Sequence, residues 1–296
     1  MAEKKKVSVK ASASAEAAEA ARTWEPTPEA KSKAIRFRIF AAILWAIAIA
    51  AEIVAIFWII RSDRSGDEKL WWLIGFIVGI GVFALAGSFL WKKANRLDPA
   101  SEKDKFRFFI QNQLGVIITV IAFLPLIVLI FLDKDMDGKQ KGIVGGIAIA
   151  VAVAVGLLSA DWNAPSKEQY TVETNTIKLL KNGVDEVFWT KSGKVFHVCE
   201  KVPDVNKQSK DNTIYNGTVA AAHEAGKDRL TARWESEAIN YCGFTQADVD
   251  RVNKGLAAIE ASTEPSAVPS EPGTEAPGNV TPLPSKPATT TQRPAA

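Results

Sequence analysis

The stretch that decides the fold is Ile35–Ile60, IRFRIFAAILWAIAIAAEIVAIFWII. Beyond Arg36 and Arg38 at its start, it carries one charged residue, Glu52. A helix needs roughly 20 apolar residues to cross the hydrocarbon core of a bilayer, and this block exceeds that. Three more blocks follow: Leu70–Trp91, Leu114–Leu132 and Gly142–Ala160. The last is rich in Ala and Gly, and its GGIAIAVAVAVG run alternates as a strand would. A lone strand in lipid would leave its backbone groups unsatisfied, so a helix is expected there too. Trp58, Trp71, Trp72, Trp91 and Trp162 sit at block ends, where an interfacial aromatic belt places them.

Outward from these blocks the composition changes. Residues 1–33 are rich in Lys, Ala and Glu, with nothing apolar to bury, and read as a disordered arm. Pro26 and Pro28 are expected to stop any helix before the membrane. The first block begins only at Ile35 and is too long for a signal-peptide core, so an uncleaved anchor is expected. Residues 166–261 have the mixed periodicity of a small α+β domain. Ser166 caps a helix closed by Gly183. VDEVFWT and KVFHVC flank Lys191-Ser192-Gly193 as a hairpin. TIYNGT is a third strand, VAAAHEAG a short helix, and Thr245 with Asp248 a capping-box start for a last helix. Residues 262–296 are dominated by Pro, Thr, Ser and Ala and are expected to be disordered. The fold class is therefore an all-α transmembrane bundle of four helices over residues 34–160, a small α+β soluble domain and a disordered tail.

Lys and Arg in the short flanks set the expected orientation. Lys31, Lys33, Arg36 and Arg38 precede the first block. Lys92, Lys93, Arg96, Lys103, Lys105 and Arg107 lie between the second and third. The other two loops hold Arg61, Arg64 and Lys69, then Lys134, Lys139 and Lys141. The richer side is expected in the cytoplasm of a plasma-membrane protein, which puts the N-terminus, the C-terminal domain and reduced cysteines inside. The formal net charge of +3 is too small to suggest a nucleic-acid partner. The expected partners are the bilayer and a protein bound through the spans or the C-terminal domain. Small residues at Gly75 and Gly79, at Gly142, Gly146, Ala150 and Ala154, and at Ala148, Ala152, Gly156 and Ala160 let helices approach closely. Packing within the bundle is the expected use, with self-association or a partner helix as the alternative.

Three places could carry chemistry. Glu52 is a carboxylate deep in a span, which is expensive and hence a candidate proton or cation site. Ala41, Ala48 and Ala55 share its face, so it should point into the bundle. The plainer reading is a neutral acid hydrogen-bonded to Ser88 or Thr119. Asp133, Asp135, Asp137 and Gly138 spell the first half of a calcium loop, but the twelfth position is Val144 where a bidentate Glu belongs. A charged interfacial loop is the plainer reading. Finally, both histidines and both cysteines of the chain fall between His197 and Cys242. His197, Cys199, His223 and Cys242 could hold tetrahedral zinc, the only cofactor the residues suggest. Their spacing fits no standard finger. A Cys199–Cys242 disulfide and unlinked side chains remain open beside it.

WTKSGKVFHVC and GTVAAAHEAGKDRL, with DGKQKG before the fourth block, resemble segments of uncharacterised multi-pass membrane proteins of actinobacteria, over about residues 133–244. That resemblance implies no activity. The SG-x-x-F-H part is also similar to small Cys/His modules with a Tyr-His followed by a later Cys. Here the gap is H-x-C and one further Cys follows, a departure that weakens any carry-over of metal binding. No phosphate-binding glycine loop, HExxH or GxSxG is present. A non-catalytic anchor or accessory subunit is therefore expected, with a metal- or thiol-based sensor and a small transporter using Glu52 as alternatives.

Overall fold

In the computed structural model, which describes residues 5–8, 24–207 and 211–263, four long apolar helices precede a small mixed domain. Helix α1 (Pro28–Val54) continues as a π-helical segment at Ala55–Ile60. Helices α2 (Gly66–Leu97), α3 (Lys105–Leu132) and α4 (Gly138–Ser159) follow. All four are long and apolar enough to cross a membrane. Each begins before the apolar block that marks it, at a polar N-cap: Thr27, Ser65, Asp104 or Asp137. Thr27 caps α1 and Pro28 opens it, so this proline starts a helix where the sequence suggested a stop. A proline at the first helical position has no N–H to waste and already has the helical φ. Asp137 and Gln140 form a reciprocal capping box at α4.

The bundle core is built from Leu73, Ile77, Ile80, Phe123, Leu126 and Ile130. Ile39, Phe40, Ile43, Val78, Val82 and Leu124 are about half exposed on the outer surface. Apolar exposure on that scale suits lipid and not water. Two glycines leave room for a ring of the neighbouring helix: a side chain at Gly145 would meet the Phe131 ring, and one at Gly87 would meet Trp45. The expected packing ladders divide. Ala148 and Ala160 are buried, but Gly142, Gly146, Ala150 and Ala154 form an exposed row. Gly75, Gly79, Gly142 and Gly146 have open space beside them. That first ladder is therefore not used within the bundle.

The small domain holds helix α5 (Lys167–Leu180), strands β2 (Val187–Trp189) and β3 (Val195–Phe196), and helix α6 (Pro203–Asn206). It continues with β4 (Thr213–Gly217), α7 (Val219–Glu224), β5 (Arg229–Leu230), α8 (Trp234–Asn240) and α9 (Gln246–Thr263). β4 is central: β2 pairs with it antiparallel, Trp189 opposite Tyr215. On its other edge lies β1 (Lys5–Ser8), parallel, Lys5 opposite Thr213. The Lys5–Ser8 segment thus departs from the disordered arm expected for residues 1–33. β3 pairs with β5, and a Phe188–His197 bridge closes the expected hairpin. Trp189, Phe196, Ile177, Leu180, Val219 and Val252 make the domain core. The tail expected to be disordered lies outside the described residues beyond Thr263.

Candidate functional site

The domain is fastened to the end of the bundle by polar contacts. Tyr170 on α5 donates its hydroxyl to the Arg96 carbonyl at 2.9 Å. Arg96, in the last turn of α2, reaches Asp228 at 3.2 Å. Lys33 of α1 pairs with Glu224 of α7. The Trp24 N–H donates to the Thr171 hydroxyl at 2.7 Å. Behind this junction His223 is fully buried, stacked on Tyr170 at 3.8 Å. Its Nε2 lies 2.6 Å from Glu173 Oε2, and its Nδ1 lies 3.0 Å from the Lys227 carbonyl. Glu173 Oε1 also accepts from the Leu230 N–H at 3.0 Å. His197 forms a second such pair, its Nδ1 2.9 Å from Glu237 Oε1.

The four residues considered for zinc therefore do not converge. Cys199 and Cys242 are joined in a disulfide, Cα to Cα 5.8 Å, which links the end of the hairpin to the turn before α9. The histidines sit in separate carboxylate pairs. A cysteine binds zinc as its thiolate, and the disulfide withholds both thiolates from the four-residue set. The expectation of reduced cysteines is corrected accordingly. Of the three readings left open, the fold takes the disulfide: after α8, just before the Gly243 turn, Cys242 packs with Cys199 against Val202, Val205 and Ile214. No periodicity marked α8 in the sequence.

Beside the disulfide opens a cavity of about 750 Å³. Phe188, Ile214 and Phe244 give it apolar walls, and Lys181, Glu200 and Lys201 a charged margin. Lys181 lies over the Phe188 ring, 5.1 Å from its centroid, and donates to the Glu186 carbonyl at 2.7 Å. Burial pulls the Lys181 ammonium below its ordinary range, with Glu186 and Asp185 acting the other way.

Glu52 is buried on the face shared with Ala41, Ala48 and Ala55, as expected. Its partner differs from the expected ones. Ser88 and Thr119 turn their hydroxyls back to the Ala84 and Gly115 carbonyls. Glu52 Oε1 instead accepts from the Leu126 N–H at 3.3 Å, immediately after Pro125. The π-helical segment of α1 starts three residues beyond Glu52.

The aspartate loop is filled from within. Lys69 is fully buried, and its Nζ lies 3.2 Å from Asp133, 2.6 Å from Asp135 and 3.0 Å from the Ile60 carbonyl. Asp133 also accepts from the Asp135 and Met136 N–H groups, while Asp137 caps α4. The ammonium occupies the carboxylates that a calcium ion would need. In the sequence Lys69 reads only as one more flanking cation.

No protein-family model, curated protein or solved structure matches the chain.

Proposed function

We propose that the chain is a multi-pass plasma-membrane protein whose four spans hold a non-catalytic binding domain, an anchor or accessory subunit that engages a protein partner. The observation that carries this reading is the disulfide-walled cavity on a domain bolted to the span ends. Binding sites are concave and mainly apolar with a few polar groups that orient the ligand, and the Phe188–Phe244 groove has that make-up. The outward row Gly142, Gly146, Ala150 and Ala154 offers a partner helix a second contact. The domain lies on the oxidising face of the membrane in this proposal, since disulfides are rare in cytosol. This reverses the orientation expected from the basic flanks. Arg38, Arg96 and Lys33, counted there as topology signals, are engaged in ion pairs with Asp98, Asp228 and Glu224.

A photo-crosslinking residue at Phe244 in the full-length protein, in its own membrane, tests the reading. A discrete protein adduct is expected, and it should be absent when the crosslinker replaces exposed Val172. Equal adducts from both positions would contradict it.

The second reading, a small transporter, rests on Glu52. A buried carboxylate beside both a π-helical segment and a proline is the kind of irregularity found at functional sites in spans. Ion flux in proteoliposomes that disappears in Glu52→Gln would favour it over the first.

A further inference from the structure

A second cavity, of about 390 Å³, opens where α3 enters and α4 leaves the bundle. Glu102 comes from the α2–α3 loop, Phe108, Phe109 and Asn112 from α3, and Asp161 and Trp162 from the link to α5. Two of these side chains are buried and incompletely used. Asn112 is 3% exposed and Asp161 7% exposed. Asn112 Nδ2, a donor, and Asp161 Oδ2, an acceptor, have no hydrogen-bond partner. Asn112 Oδ1 is already taken by Asn95 Nδ2 at 3.2 Å. Buried polar groups without partners are rare and costly.

The cations near Asp161 do not satisfy it. Lys92 donates to the Leu158 and Ala160 carbonyls, at 2.9 and 2.6 Å. Arg96 donates to the Lys227 carbonyl and to Asp228, both at 3.2 Å. Burial pushes the Asp161 carboxyl up, opposed by Arg96 and Lys92. None of the described side chains lining the cavity is basic. Its margin is aromatic and open: Trp162 is 75% exposed and Phe109 58% exposed.

We propose that this cavity binds the headgroup of a phospholipid bearing a primary ammonium, of the phosphatidylethanolamine type. The proposal rests on the membrane reading above. The ammonium donates to Asp161 Oδ2 and lies against the aromatic faces, which attract cations. Asn112 Nδ2 donates to an oxygen of the same headgroup. Lys105 and Arg107 lie outside the lining, in the exposed first turn of α3 just before Phe108 and Phe109, and would add positive charge near the phosphate. A lipid suits the site better than a free amine, because the rim lies at the end of the apolar helices, where Trp162 and the exposed Phe106 mark a membrane–water boundary.

The test is native mass spectrometry of the full-length protein in detergent. It is titrated with chain-matched phosphatidylethanolamine and phosphatidylglycerol, with free ethanolamine as competitor. Phosphatidylethanolamine should be retained at least about tenfold more tightly than phosphatidylglycerol, the scale of one charge-assisted hydrogen bond. Asp161→Asn should remove most of that preference. Trp162→Ala, at a position 75% exposed, should weaken retention several-fold. Equal retention of the two lipids, or a preference unchanged in both variants, would overturn the site. Displacement by millimolar ethanolamine as effective as by lipid would overturn the lipid assignment. A protein that proved not to reside in membranes would fail in a fractionation control, separately from these outcomes.

Discussion

Arg96 Nη2, at the end of α2, lies 3.2 Å from Asp228 Oδ1 in the small domain, and the Arg96 carbonyl receives the Tyr170 hydroxyl. One residue thus ties an apolar helix to the domain through both side chain and backbone. Both charged side chains are about four-fifths buried, at 19% and 21% exposed. Charge-assisted bonds in such a setting are worth about 1.5–3 kcal/mol. Arg96→Ala is expected to raise amide exchange in α5 and around Asp228 by about tenfold or more, with the bundle unchanged. Uniform protection in both regions would show that the domain is held by other contacts.

Removing His223 exposes a different dependence. His223→Ala would leave the Glu173 carboxylate buried beside an empty space. The expected loss is about 3 kcal/mol, from the Glu173 Oε2 left buried without its partner together with lost packing on Tyr170. Glu173→Gln with His223 intact should cost less, because the amide keeps a hydrogen bond. Thermal melting of the two variants in one detergent checks the order.

Lys69 predicts the behaviour of the aspartate loop. Because its ammonium already serves Asp133 and Asp135, millimolar calcium should leave the melting temperature of the wild-type protein unchanged. A rise of several degrees, or a dissociation constant below about 10 μM, would contradict the account. Lys69→Met should destabilise the protein by about 3 kcal/mol, since Asp133 would then be a buried carboxylate without its cation.

The start of α9 should be sensitive to acid. The Thr245 N–H and hydroxyl donate to Asp248 Oδ2 at 2.9 and 2.7 Å. These bonds, with Arg251 adding to them, hold the Asp248 carboxyl down to about 2. A carboxylate whose folded value lies below its unfolded one, near 4, stabilises above that unfolded value. The contribution is lost as pH falls through about 2. Protection of the Gln246–Val249 amides, measured against the intrinsic exchange rate at each pH, should therefore fall between about pH 4 and pH 2. In Asp248→Asn that pH dependence should vanish, and its persistence would place the titrating group elsewhere.

The long apolar helices were readable because a run such as Ile35–Ile60 has few alternatives in water or lipid. Caps were readable too: Ser166, Gly183, Thr245 and Asp248 act locally, and the structure uses them as their residue types imply. What could not be read was pairing over distance. Nothing local tells that Lys69 turns toward Asp133, that Glu52 meets the Leu126 N–H, or that each histidine finds its own glutamate. Nor does a two-cysteine count separate a disulfide from free thiols, since only the path of α8 brings Cys242 to Cys199. The strand at Lys5–Ser8 was hidden for a related reason: its partner β4 lies more than 200 residues away in the chain.

In the proposed topology the Cys199–Cys242 disulfide stands on the oxidising face, on a domain carried by four spans. The sulfurs are separated by 43 residues in sequence, so the closed loop should stabilise the domain by about 2–4 kcal/mol. Intact cells treated with a membrane-impermeant maleimide, with and without prior reduction by an impermeant reductant, test it most directly. The account predicts labelling of Cys199 and Cys242 only after reduction, with no need to open the cells. Labelling only after the cells are opened, and without any reductant, would place reduced cysteines in the cytoplasm and contradict both the disulfide and the orientation.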